Sequence, residues 1–147
     1  MLRYVLAIIG VMCLARESFA DMVIKCGGSE GRAYFLEGGA VPAGTGGWAD
    51  DRISKGQIIF LLKGQKPQLL IGDTVGMGDV ESDGAKLIVL HATADTILVL
   101  TVYSTVVETY EFRIRPDGKG EAVWTSVKAT GLVDKGSVMR AECELTG

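Results

Sequence analysis

Residues 106–128 read VVETYEFRIR-PDG-KGEAVWTSVK, and their pattern decides the fold. Tyr110, Phe112 and Ile114 recur at every second position, with Glu111, Arg113 and Arg115 between or beside them. That is the period of a strand with one apolar and one polar face. Pro116-Asp117-Gly118 then supplies a turn, because proline sets one φ and glycine accepts a positive one. A second strand-like run, Glu121–Lys128, follows at once. Two alternating runs around a short turn predict an antiparallel hairpin.

The same signature spreads outward along the chain. Met22–Cys26, Arg32–Glu37, Gln57–Lys63, Gln68–Ile71, Ala85–His91, Thr96–Ser104 and Ser137–Leu145 are further apolar runs rich in β-branched and aromatic residues. Gly64 to Pro67 and Thr93 to Asp95 sit between neighbouring runs as the proline turn does. No segment holds a helical period over eleven residues, a window in which an amphipathic helix would declare itself. The expectation is an all-β domain, a small antiparallel meander barrel of about eight strands, with a two-sheet sandwich as the alternative.

The ends of the chain add compartment and closure. Residues 1–20 carry Arg3, an apolar run from Val5 to Leu14 and a small-x-small close at Ser18-Phe19-Ala20. They read as a secretory signal peptide cut before Asp21, leaving one domain over 21–147. The run is too short to span a bilayer, so no stable membrane anchor is expected. A periplasmic or secreted protein is implied. Cys26 and Cys143 then remain, one near each end, and in an oxidising compartment they are expected to form a disulfide. Met22, Ile24 and Cys26 share one strand face, as do Met139, Ala141, Cys143 and Leu145. If the first and last strands are neighbours, a bridge between those faces ties the ends of the meander together, which suggests a closed or nearly closed barrel.

Charge removes several partners. The whole chain has 15 basic and 18 acidic residues, a formal net charge of −3. With no basic cluster, neither nucleic acid nor an anionic membrane surface is an expected partner. No asparagine is present, and hence no glycosylation sequon.

Chemistry-bearing residues are few. His91 is the single histidine, and no nucleophile context surrounds it; a strand-end histidine satisfied by water or backbone is the plainer reading. Asp79-x-Glu81-x-Asp83-Gly84 opens like a calcium loop, but the twelfth position is Leu90 rather than a carboxylate. With Asp73 nearby, it reads as a solvated acidic turn. No metal, cofactor or catalytic set is expected. Glu108 stands apart, because it shares the inward face of Tyr110 and Phe112. An inward carboxylate is costly unless paired or wet. The plainer reading bends Glu108 into solvent near Ser104-Thr105 or pairs it with an arginine such as Arg32. The alternative has it line a cavity mouth, with Glu108 and Tyr110 as polar anchors if the interior is a cavity. Trp48, with Asp50 and Asp51, follows the glycine-rich Gly38–Gly47 loop and is expected either to contact a ligand from a mobile element or to tuck against the barrel rim. Trp124 reads as packing. Ile58–Leu62, Leu87–Leu90 and Ile97–Leu100 are apolar on both faces, which predicts either a contact surface or cover by the glycine-rich loop and the N-terminal segment.

These observations point to an exported, non-catalytic binding module for a small molecule or an envelope protein, with Glu108, Tyr110 and Trp48 as ligand-binding residues. The layout also resembles that of the membrane-bound C-type lysozyme inhibitors: an exported β-barrel of this length with a cysteine near each end. Of that family's Ser-x-Gly-x-x-Tyr stretch, Ser82-Asp83-Gly84 keeps the serine and glycine, and Leu87 stands at the tyrosine position. The resemblance implies inhibition of an extracytoplasmic hydrolase and carries over no site residue.

Overall fold

The computed structural model describes residues 21–73 and 75–146. Residues 1–20, expected to be a signal peptide, lie outside them.

Ten antiparallel strands form one sheet among the described residues: β1 Met22–Phe35, β2 Gly47–Ile53, β3 Gln57–Lys63, β4 Lys66–Gly72, β5 Met77–Asp79, β6 Lys86–Ala92, β7 Thr96–Val102, β8 Val106–Ile114, β9 Lys119–Lys128 and β10 Lys135–Leu145. The spatial order is β5-β4-β3-β1-β10-β9-β8-β7-β6, with β2 paired to β1 off this path. The quoted hairpin is β8–β9, in register from Val106↔Lys128 to Ile114↔Gly120. Its turn is held by Gly118 N–H donating to the Arg115 carbonyl at 2.9 Å, with Gly118 at φ +77°.

The sheet curls into a half-barrel. Phe60 on β3 and Phe112 on β8 lie four strand steps apart, yet their rings meet at 5.6 Å. One core runs through Ile24, Phe60, Leu69, Val99, Phe112 and Met139, all almost wholly buried. The curl differs from the expected barrel in two ways. It has ten strands rather than about eight, and no ladder joins β5 to β6 among the described residues. Val80, in the turn between them, fills the gap, its N–H donating to Leu69 O at 3.0 Å and its side chain buried in the core. A single curled sheet also replaces the alternative of two stacked ones.

The first and last strands are neighbours, the condition under which the bridge ties the ends of the meander together. β1 pairs with β10 from Ile24↔Leu145 to Phe35↔Lys135, and Cys26 and Cys143 are bridged across that ladder with Cα atoms 4.0 Å apart. The two runs Met22–Cys26 and Arg32–Glu37 are one strand here. A register shift between Cys26 and Ser29 marks a bulge at Gly27-Gly28. The extra residue reverses side-chain parity, so Ile24 and Cys26 point inward before it, and Ser29 and Ala33 after it. The bulge also changes β1's partner from β3 to β2.

β2 corrects a second expectation. Trp48, Asp50 and Asp51 are strand residues, not a mobile loop element. Tyr34 faces Trp48 edge-on at 5.5 Å, Arg32 lies over the indole at 5.7 Å and pairs with Asp50 at 3.5 Å, and Lys135 pairs with Asp51. The glycine-rich loop does not cover the two-sided strands. It bonds instead to the Gly131–Asp134 turn, through Ala40 N–H to Leu132 O, next to the bond from Leu36 N–H, just before the loop, to Asp134 O. The outward Ile59, Leu61, Leu98 and Leu100 are half-buried.

Two substitutions test this architecture. Cys143→Ser releases a loop spanning 117 residues and is expected to cost about 4–5 kcal/mol in the chain-entropy view, read by urea unfolding under oxidising conditions. A variant that unfolds at the wild-type midpoint would refute the bridge. At Gly31 a Cβ would be driven into the Val138 carbonyl, which is backbone and cannot rotate away. Gly31→Ala is therefore expected to lower the midpoint by about 1–3 kcal/mol, as overpacking does, whereas Gly44→Ala would meet only the strain of its positive φ.

Candidate functional site

Two sides of the half-barrel stand apart at the end where the bulge turns β1 away from β3. The first side is built from the end of β7 with Tyr103, the start of β8 and the end of β9. The second comes from the start of β3, the end of β4 and β5. Between them opens a cleft of about 700 Å³, lined by Glu108, Tyr110, Trp124 and Tyr103 on the first side and by Ile58, Ile71 and Met77 on the second. Lys128 and Asp83 also border it.

Local register explains the placement of the charged group. Glu108 sits between Thr101 on β7 and Ser126 on β9, and the inward layer continues through Ser137 to Ala33. One step deeper the layer is Val99, Tyr110, Trp124, Met139 and Gly31. The aromatic rings stop there. Tyr110 stacks on Trp124 at 5.9 Å and on Phe112 at 6.4 Å, so its phenol is fixed along the strand direction and points back past its own i−2 neighbour. Tyr110 Oη donates to Glu108 Oε2 at 2.6 Å. Glu108 is 9 % exposed.

This settles the two readings of Glu108's position in favour of the inward one. The carboxylate is neither bent into solvent nor paired with Arg32, which lies on the outer face against Trp48 and Asp50. Its second oxygen accepts no hydrogen bond from any described residue. Thr101 Oγ1, in the same layer, and Trp124 Nε1, one layer deeper, are buried without partners among the described residues. Ser126 and Ser137 satisfy one another at 2.8 Å. Buried polar groups in proteins are ordinarily paired, so the two orphan atoms of Thr101 and Trp124 stand out in this region, and the free oxygen of Glu108 opens to the cleft instead of being sealed in the core.

The phenols respond to the same environment. Burial pushes the Tyr110 phenol far above its ordinary value, and the adjoining Glu108 charge adds to the rise. Tyr103 is raised too, by burial first and then by Glu108, Asp83 and Asp79. Tyr110 is thus held as a donor toward Glu108 throughout the physiological range.

Other expected site residues fall elsewhere. Trp48, 60 % exposed, lies on the outer face of β2 and does not line the cleft. His91 is exposed, with the ladder irregular between Val89 and itself. The acidic turn spends its carboxylates locally. Asp73 Oδ1 accepts Val75 N–H at 2.7 Å, and Asp79 Oδ1 accepts Glu81 N–H at 2.8 Å while its Oδ2 accepts from Gln68 Nε2. No cluster of three metal-ligating side chains occurs among the described residues. A second cleft, of about 750 Å³, runs over the outer side of the disulfide past Arg140, Glu142 and Glu144. Its central guanidinium, Arg140, is already engaged by Glu121 at 2.7 Å, and the groups around it face water. Two residues of the Glu108 cleft escaped the sequence reading. Trp124 was legible only as packing, and Tyr103 only as part of the strand-like run Thr96–Ser104.

Set beside known protein families, curated proteins and solved structures, the chain matches none. The site stands on its own geometry. Among the described residues no helix is long and apolar enough to cross a membrane.

The raised phenols make a pH prediction. Folding holds both phenolic protons more tightly than the unfolded chain does, so their contribution to stability is complete below about pH 10. It is lost as pH climbs through the raised values, where the unfolded state ionises first. Urea midpoints are expected to fall between about pH 9 and about pH 11, and Tyr110→Phe to blunt that fall. A wild-type midpoint flat across this range would contradict the buried phenols.

Proposed function

We propose that this chain is an exported, non-catalytic binding module that holds a small molecule in the cleft at the Glu108 end of the half-barrel. The observation that carries the reading is Glu108 itself. A long charged side chain in a packed layer of small residues opposes folding unless something repays its burial. The Tyr110 bond satisfies one oxygen, and the cleft gives the other access to a ligand. Clefts of this size with apolar walls and a few convergent polar groups are the usual form of small-molecule sites. Export is supported by the leader-like residues 1–20 and by a disulfide suited to an oxidising compartment, periplasmic or extracellular. The non-catalytic reading is supported by the carboxylates across the cleft: Asp73 is committed to capping its own turn, and Asp83 lies against Gly78.

A second reading, inhibition of an extracytoplasmic hydrolase through the outer face, draws on a different observation. Trp48, Tyr34, Val127 and Val107 follow one another in register across β2, β1, β9 and β8, interrupted at β10 by Gly136, and all four are exposed. Aromatic and aliphatic groups in such a row suit a protein contact.

Native and denaturing mass spectrometry on exported protein purified without reduction separates the two. The expected result is a denatured mass lacking residues 1–20 and two hydrogens short, with a native mass that carries extra material absent from Glu108→Gln. A bare native mass, with a Trp48→Ala variant that loses capture of an envelope hydrolase, would replace the cleft reading by the second one.

A further inference from the structure

We infer that the group bound at Glu108 is a protonated amine on a flat apolar body. The inference rests on the cleft's being a binding site and names what it takes. Charge gives the first argument. Three carboxylates, Glu108, Asp73 and Asp83, border the cleft against one cation, Lys128. Lys128 makes no ion pair among the described residues, and Glu108's bond comes from a neutral phenol, so no described cation is paired with the carboxylate. An anionic ligand would add like charge to a buried carboxylate, which costs far more in a low-dielectric site than in water.

Donor and acceptor inventory gives the second argument. A carboxylate only accepts. With Oε2 taken by Tyr110, the remaining Oε1 calls for an N–H or O–H donor, and a charged N–H makes the stronger bond. The walls give the third. Tyr103, Tyr110 and Trp124 bring three aromatic side chains to the carboxylate's side of the cleft, while Ile58 and Ile71 face them. Aromatic rings attract a cation through their quadrupole and also bury a flat hydrocarbon. One chemistry satisfies all three demands: an ammonium at Glu108, with its hydrocarbon between the aromatic and aliphatic walls.

Calorimetric titration of the full oxidised protein with phenethylamine, 2-phenylethanol and phenylacetate tests this, because the three share a body and differ in the head. The amine is expected to bind at least about tenfold tighter than the alcohol, with phenylacetate weakest. Glu108→Gln should erase the amine's advantage while leaving alcohol binding in place, which also shows that the variant is folded. Lys128→Gln, at the rim, should raise amine affinity about threefold by removing a like charge. Equal binding of all three, preference for phenylacetate, or an amine advantage that survives Glu108→Gln would each overturn the amine assignment and keep the cleft as a site. If none of the three binds and the natively purified protein is bare, both fall together.

Discussion

The β1–β10 ladder is the seam on which this structure depends. One meander runs from β1 through β3 and β4 to β5, a second from β6 to β10, and they share a sheet because the two terminal strands pair. Local turns build each half cheaply in entropy, since hairpins close loops of a few residues. The seam closes nearly the whole chain, and its loss in loop entropy must be recovered from the ladder and from the core it completes. The Cys26–Cys143 bridge lies in register within that ladder, so the covalent link restrains the strand pairing that joins the two ends of the described chain. Leu145 N–H donating to Gly118 O and Thr146 N–H donating to Val23 O anchor the far end of the seam as well.

From the seam follows the bulge, and from the bulge the site. Gly27-Gly28 lets β1 stay paired to β10 along its length while exchanging β3 for β2 on its other edge. Were β1 regular, β3 could follow it further and extend the packed core toward the Glu108 layer. Instead the two sides part at Ser29, and the cleft occupies the space between them. β2 takes over the vacated edge, held there by cross-strand pairs rather than by burial: Tyr34 with Trp48, Arg32 with Asp50, and Lys135 reaching across to Asp51.

Legibility in the sequence followed locality. Alternation exposed the strands that bury one face, and parity placed both cysteines on the apolar faces of the terminal strands, because both signals are carried within a few residues. The β1–β10 pairing itself was legible only as a condition on the bridge. β2, GWADDRI, has no apolar alternation; it becomes a strand through its β1 partners, from Phe35 opposite Gly47 to Ser29 opposite Ile53, and through Lys135. Gly27-Gly28 looked like a strand break, since a bulge and a turn use the same residue for the same conformational freedom. β5 is three residues long and exists only against β4. The candidate site divides the same way. Glu108's inward aim came from parity with Tyr110 and Phe112. Its far wall of Ile58, Ile71 and Met77 came from the curl, which no local pattern encodes.

The change of layer chemistry along the barrel explains why the site lies at this end. Phe60, Phe112, Trp124 and Tyr110 fill the interior up to the Tyr110 layer. The next layer, between Ala33 and Thr101, holds only small side chains apart from Glu108. A fold selected for core stability alone would continue the aromatic packing and place a branched apolar residue at position 108. What stands there is a carboxylate with one oxygen held by a phenol, in register with a hydroxyl, and one layer from an indole N–H, that no described residue satisfies. Such groups weaken the core they border, and sites that bind are where proteins carry local costs of this kind.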